Sequence, residues 1–236
     1  MGKARKRHVQ QELVFARRGG GRRGAGRPAK GWRSSERHGR REVLRDTEPV
    51  HVTVRVVPMV ASLRTRAMYR AIRWATLAVA RRDTFRIIHM SIQRDHLHLI
   101  VEADDRIALA RGMQAFQSSA AQHINRALGR RGQVFADRYH PHILRTPREV
   151  RHAIAYVLGN WRKHREDRGR TWKLDPFASG IAFPHWRELA DSPVLYKPPP
   201  TYDPLLVWHP KTWLLDKGWR THAPISVSAI PRSRPA

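Results

Sequence analysis

The sequence predicts an α+β fold of the ferredoxin-like, split βαβ type: an antiparallel sheet with helices on one face, followed by a C-terminal helix that carries a tyrosine. Two observations lead to this prediction. Segments with strand alternation and segments with helical spacing follow one another in the order β-α-β-β-α-β between residues 50 and 145. A helix with strong N-terminal signals then begins near residue 146.

The first half of the pattern contains three strands and one helix. The first strand is predicted at residues 50–58, VHVTVRVVP, because β-branched residues alternate along it. Residues 64–82 place apolar side chains at helical spacing and predict the first helix. Residues 84–93 and 96–103 predict two more strands, and the short connection Arg94-Asp95 indicates a hairpin between them.

The second half contains two helices and a less regular strand. Residues 105–129 place apolar side chains on one face of a long helix. The segments QVFADRY and HILR, residues 133–139 and 142–145, indicate the last strand of the sheet. The tyrosine-bearing helix follows, with Thr146 as its N-cap, a proline at its first position and Glu149 three residues after the cap.

The charge of the chain indicates a nucleic-acid partner. The 236 residues include 46 Lys and Arg against 19 Asp and Glu, a net charge of +27, and such a field attracts polyanions. Residues 1–46 hold 15 of these basic residues and no apolar periodicity, which predicts a disordered basic arm. We expect Arg22, Arg23 and Arg27 in this arm to contact DNA.

The composition excludes several classes of protein. The chain has no cysteine, which excludes disulfides, zinc ribbons and thiol nucleophiles, and the expected location is the cytoplasm, in association with the nucleoid. No stretch reaches the roughly 18 apolar residues of a membrane span. The basic N-terminal stretch lacks the apolar segment of a secretory signal.

Two histidines in the third predicted strand are candidate metal ligands. Residues i and i+2 of a strand share a face, so His96 and His98 point one way while Leu97 and Leu99 point the other. Two imidazoles close together on one face can bind a divalent cation. A His-x-His pair in a strand is more often incidental, so the pair alone does not establish a site.

The last predicted helix supplies a tyrosine and an amide. Tyr156 and Asn160 are four residues apart and are therefore neighbours on one helical face. A lone helical tyrosine is usually an aromatic residue at the edge of the core. The amide favours a different interpretation, because the Asn160 carbonyl oxygen suits a hard cation already held by two histidines and would bring Tyr156 to that cation.

A second tyrosine offers a competing assignment. Tyr139 precedes His140-Pro141-His142, which is another His-x-His. Pro141 restricts this segment to a sheet edge or a bulge, so Tyr156 is preferred as the functional tyrosine.

The remaining histidines and arginines give weaker signals. His51 and His89 lie on predicted strands and are interpreted as ordinary sheet residues, and His152 as a solvated side chain. Arg55 on the first predicted strand and Arg138 in the first segment of the last one are further candidate DNA contacts.

Together these motifs resemble the single-tyrosine HUH transposases, and most closely the REP-associated tyrosine transposases. The resemblance covers residues 47–168 and includes HVTVR, DHLHLIVEAD, VFADRYH and AYVLGN. It maps the His-hydrophobic-His motif onto His96 and His98, the nucleophile onto Tyr156 and the metal-binding amide onto Asn160. The chain departs from the family at Asp95, where these proteins often have Asn.

The resemblance implies a metal-dependent endonuclease and strand transferase that acts on single-stranded or hairpin DNA through a phosphotyrosine intermediate. It implies Mg²⁺ or Mn²⁺ held by His96, His98 and Asn160, with Tyr156 attacking the DNA. The alternative is a non-catalytic nucleic-acid-binding protein on the same fold. A structural protein of a ribonucleoprotein particle would explain the charge but not these four residues.

Composition and the resemblance together divide the chain into three parts. Residues 1–46 form the basic arm, residues 47–168 the HUH/tyrosine nuclease domain, and residues 169–236 a Trp- and Pro-rich C-terminal extension with five of the eight tryptophans. We expect the extension to pack against the core. The sequence leaves open whether two chains form a homodimer, and no membrane contact is expected.

Overall fold

A computed structural model describes residues 42–169 and 171–231. Its main elements follow the predicted order, and a helix follows the last strand. They are β1 (Val50–Arg55), α1 (Arg66–Val79), β2 (Phe85–Ile92), β3 (His96–Ala103), α2 (Arg106–Ala127), β4 (His140–Ile143) and α3 (Pro147–Lys163). None of the helices in this described part is long and apolar enough to span a membrane.

The four strands form one antiparallel sheet in the order β2-β3-β1-β4. Strands β1 and β3, which precede α1 and α2, are adjacent at the centre, and Thr53 of β1 stands opposite His98 of β3. This is the split βαβ arrangement, so the predicted α+β fold class is confirmed.

Helices α1 and α2 cover one face of the sheet and form the first core with it. Val52 and Leu99, which pair across β1 and β3, lie in this core and are inaccessible to solvent. Gly112 of α2 allows the helix to approach β2 closely, because a Cβ atom there would lie 2.1 Å from Cγ of Phe85. Any larger residue at position 112 would have to displace the buried ring of Phe85.

Helix α3 and the C-terminal extension cover the opposite face and form a second core. Thr146 caps α3 with the predicted capping box, and Ile154 and Val157 pack against Ile100 of β3 and residues of the extension. The extension contributes Trp186, Trp219 and other apolar side chains to this cluster. It contains the short helix α4 (Trp213–Asp216) and three single-turn 3-10 helices, at Ser179–Ala182, Arg187–Ala190 and Gly218–Thr221.

Backbone hydrogen bonds attach the extension to the outer edge of β2. The amide of Ile92 donates to the carbonyl of Phe177 at 2.9 Å, and the amide of Trp208 donates to the carbonyl of Ile87 at 2.8 Å. The extension therefore pairs with groups that an edge strand would otherwise leave to solvent.

The last strand differs from the prediction. Residues 133–139 lie outside β4 and follow the end of β1 instead, where the amide of Val57 donates to Val134 at 2.8 Å and that of Ala136 to Arg55 at 3.0 Å. A single bridge joins Val56 and Phe135. The strand itself is residues 140–143, and Pro141 stands in it at the edge of the sheet, as its missing amide proton requires.

Most of the predicted basic arm lies outside the described residues. Residues 1–41, with Arg22, Arg23 and Arg27, belong to that undescribed part. Of the remaining arm residues, 42–46, Leu44 is buried in the first core.

Candidate active site

The two candidate metal ligands of β3 meet on the face of the sheet that α3 covers. Strand alternation sends Leu97 and Leu99 into the first core and turns His96 and His98 to the other side, as predicted. Both imidazoles are buried, and their Nε2 atoms lie 3.0 Å apart.

The outer nitrogen of each imidazole has a hydrogen-bonding partner in the protein. The Asp95 carboxylate lies 2.6 Å from Nδ1 of His96 and can accept a hydrogen bond from its N–H group. Nδ1 of His98 lies 3.2 Å from Nε2 of His51 and 3.2 Å from the Thr53 hydroxyl. When each Nδ1 donates to its neighbour, each Nε2 presents a lone pair, as metal-binding histidines commonly do.

Burial favours the neutral form of both imidazoles. It lowers the pKa of His98 well below its usual value, and the nearby His51 and His96 act in the same direction. Burial also lowers the pKa of His96, although its hydrogen bond to Asp95 opposes that change. Neutral imidazole is the form that coordinates a metal ion.

Helix α3 brings three polar residues to this pair along a single stripe, at positions i, i+4 and i+8. The ring centroid of Tyr156 lies 5.1 Å from that of His98, and the ring centroid of His164 lies 5.6 Å from that of His96. Asn160 stands between them on the same stripe and is inaccessible to solvent. Tyr156 is thus brought to the histidine pair, and Asn160 lies one turn further along the same stripe.

The Asn160 amide has no hydrogen-bonding partner among the described residues, on either its oxygen or its nitrogen. Leaving such a buried group unsatisfied is unfavourable, and in native proteins it often marks a bound ion or another functional requirement. A cation next to the histidine pair would satisfy the Asn160 oxygen.

The donor set fits a hard divalent cation. Two nitrogens 3.0 Å apart can each lie about 2.1 Å from one ion at an angle of about 90°, the angle of octahedral Mg²⁺ sites. The described residues contain no cluster of three or more His, Cys, Asp and Glu that could hold a metal. A site here would therefore depend on the Asn160 amide as its third protein ligand.

Two basic side chains lie next to the cluster. Arg55 stands opposite His96 on β1, is exposed, and forms an ion pair with Asp95 at 3.5 Å. The Lys163 ammonium lies 4.9 Å from the centre of the Tyr156 ring. Lys163 places positive charge beside the tyrosine and Arg55 places it beside His96, and this charge would attract a phosphate group.

The other candidates lie elsewhere. Arg138 is exposed in a cleft with Gln114 and Gln117 of α2, on the other face of the sheet. Tyr139 is buried in the first core, so the structure brings Tyr156, and not Tyr139, to the histidine pair. His152 is exposed, as expected.

Sequence reasoning missed three residues of the cluster. His51 was interpreted as an ordinary sheet residue, but it contacts His98 and its ring centroid lies 5.8 Å from that of Tyr156. His164 and Lys163 were not singled out. The spacing of four between Asn160 and His164 was the available signal, whereas the position of His51 depends on which strands are neighbours.

Comparison with known proteins finds a family match and similar solved structures. Residues 50–157 match the model of the family described as IS200-like transposases. The fold resembles a solved REP-associated tyrosine transposase bound to a REP hairpin, with a TM-score of 0.50 and 20% identity, over 69% of this chain and 89% of that one. No curated protein sequence matches the chain.

Proposed function

Because the chain belongs, through residues 50–157, to the IS200-like transposase family, we propose that it is an endonuclease and strand transferase for single-stranded DNA. In this proposal it acts on hairpin DNA through a phosphotyrosine intermediate at Tyr156. The observation that carries the proposal is the meeting of Tyr156 with the His96–His98 pair, at a ring-centroid distance of 5.1 Å from His98.

The proposed reaction exchanges one phosphoester bond for another. The Tyr156 oxygen attacks the scissile phosphorus and loses its proton to solvent. The bond from phosphorus to the 3′ oxygen breaks, and that oxygen takes up a proton to become a free 3′-OH. The strand on the 5′-phosphate side is then linked to Tyr156. Because no phosphoester is lost, a 3′-OH from another strand end can reverse the step and join to the linked strand.

Protein residues hold the reacting groups in place. His96, His98 and the Asn160 oxygen would hold Mg²⁺ or Mn²⁺. When bound, such a cation neutralises and polarises the scissile phosphate. Asp95 keeps His96 oriented through the 2.6 Å contact, and His51 and Thr53 do the same for His98. Arg55 and Lys163 attract the DNA backbone to the tyrosine.

The REP hairpin in the structural match supports the choice of substrate. A strand that is cut at a single tyrosine needs to be unpaired at the scissile step, while the stem of a hairpin can remain paired. A fully paired duplex would have to melt first, at about 1.4 kcal/mol for each base-pair step. We therefore propose that hairpin DNA with unpaired flanks is cut and the matching duplex is not.

The test uses a library of DNA hairpins with randomised stems and flanks, labelled at either the 3′ or the 5′ end. The full chain is incubated with it and Mn²⁺, and adducts that survive denaturation are collected and sequenced. We expect an adduct that carries the 3′-end label and is lost in Tyr156→Phe. The matched control, Tyr139→Phe, should retain it.

Each other result has a definite meaning. An adduct that persists in Tyr156→Phe and disappears in Tyr139→Phe would transfer the role to Tyr139. An adduct that keeps the 5′-end label would contradict the proposed polarity. Tight hairpin binding without any adduct would favour the non-catalytic DNA-binding protein.

A further inference from the structure

The outer surface of α1 and α2 carries positive charge that the proposed active site does not use. Neither the 14 residues of α1 nor the 22 residues of α2 include Asp or Glu, whereas the two helices together contain six arginines. These helices cover the face of the sheet opposite the histidine pair. Their outer surface is therefore separate from the place where cleavage is proposed.

A groove between the two helices combines this charge with an exposed aromatic residue. The groove has a volume of about 540 Å³, and Arg70, Trp74, His123 and Arg126 line it. Trp74 is 54% exposed, and its ring is stacked on His123 at a centroid distance of 6.0 Å and an interplanar angle of 19°. The stacking leaves much of a large, oriented aromatic surface open to solvent.

The charge and the aromatic surface fit one kind of ligand. Unpaired bases stack on aromatic side chains whatever their sequence, and arginines beside them contact the phosphates. Neither Arg70 nor Arg126 forms an ion pair with any residue in the described ranges, so both guanidinium groups can face a ligand. A protein partner would need acidic groups at both arginines and an apolar side chain between them, whereas a DNA strand supplies this alternation at every nucleotide.

We propose that the groove between α1 and α2 is a second binding site for unpaired DNA, in which a base stacks on Trp74 and the flanking phosphates contact Arg70 and Arg126. The site would hold a single-stranded segment of the same substrate, away from the strand being cut. The inference rests on the proposed function in that both concern DNA, but it does not depend on cleavage.

The test measures binding without chemistry. A fluorescein-labelled 20-mer of deoxythymidine is titrated with the full chain in the Tyr156→Phe background, and fluorescence anisotropy gives the Kd. Trp74→Ala should weaken binding by roughly fivefold or more, the loss expected for one stacked base, and Trp74→Phe should recover most of it. The matched control is Trp213→Ala, because Trp213 is 59% exposed outside the groove, and it should change the Kd by less than about twofold.

The arginines give an independent measurement. Arg70→Ala and Arg126→Ala should each lower the slope of log K against log salt by roughly 0.7, the value for one phosphate contact to a single strand. Arg220→Ala is the control, because Arg220 lies in the extension and pairs with Asp216. This measurement decides the question if Trp74→Ala does not fold.

Equal affinities for Trp74→Ala and Trp213→Ala, together with unchanged salt slopes in the arginine variants, would overturn the second site and point to a protein partner. The two proposals fail separately. Loss of binding in Trp74→Ala without any covalent adduct in the unsubstituted chain would keep the groove and remove the catalytic function. A covalent adduct in the unsubstituted chain, together with DNA binding that groove substitutions do not change, would keep the catalytic function and remove the second site.

Discussion

The ion pair between Arg64 and Asp175 fastens the C-terminal extension to the end of β2, and its removal should destabilise the whole fold. Two guanidinium nitrogens of Arg64 lie 2.9 and 2.8 Å from the two carboxylate oxygens of Asp175. The side chains are only 9% and 1% exposed. Arg64 also donates to the carbonyl of Ile92 at 2.8 Å, and Asp175 accepts from the amide of Phe177 at 3.0 Å.

The loss of stability expected in Asp175→Ala follows from the buried charge of Arg64, which the substitution leaves without its carboxylate partner. Breaking a buried pair by removing one partner typically costs about 3–5 kcal/mol, because the other charge stays buried without compensation. The Ile92 carbonyl and Glu166, which lies 3.9 Å from Arg64 Nε, remain as partial partners. We therefore expect the lower end of the range, about 3 kcal/mol. The double variant Arg64→Met/Asp175→Leu removes both charges and should recover most of this loss.

Urea unfolding followed by tryptophan fluorescence measures these free energies. The control is Asp216→Ala, which breaks the exposed pair with Arg220 and should cost less than about 0.5 kcal/mol. A loss below about 1 kcal/mol in Asp175→Ala, or a double variant as unstable as the single one, would refute the argument that burial makes this pair a strong link.

Two further predictions concern histidines. His96→Ala and His98→Ala should each weaken Mn²⁺ binding at least roughly tenfold, and Asn160→Ala should have less effect because water can replace one amide oxygen. Calorimetric titration of the DNA-free protein with Mn²⁺ measures these affinities. Unchanged affinity in both histidine variants would mean that the pair is structural. Burial, aided by the charge of His185, lowers the pKa of His89 to about 4, so the folded protein holds this residue neutral while the unfolded chain protonates it near pH 6.5. The associated stability is fully present above pH 6.5 and is lost as the pH falls towards 4, by up to about 3 kcal/mol. Urea unfolding at pH 7 and 4.5 measures this loss, and His89→Leu should reduce it. An equal loss of stability in His89→Leu and in the unsubstituted chain would contradict the prediction.

The sequence was informative wherever the signal was local. The alternation in β3 placed His96 and His98 on one face, and the spacing of four in α3 made Tyr156 and Asn160 neighbours. Both depend only on the geometry of a single element. The capping box at Thr146 also fixed the start of α3 from four consecutive residues.

The signals that failed depended on contacts between distant segments. Residues 133–139 have the alternation of a strand, but Val134 and Phe135 pack at the end of β1 and form one bridge instead of a ladder. His51 belongs to the site only because β1 and β3 are adjacent. The extension has no period because short turns and backbone contacts to β2 build it, and such contacts leave no pattern in the side chains.

Both edges of the described sheet are partly protected against further strands. At β2 the extension already occupies the backbone groups of Ile87 and Ile92. At the other edge β4 has only four residues, and Pro141 among them has no amide proton to offer. Within the described residues, few backbone groups at either edge are therefore left to pair with a strand of a second chain, which disfavours the edge-to-edge stacking that leads to fibrils.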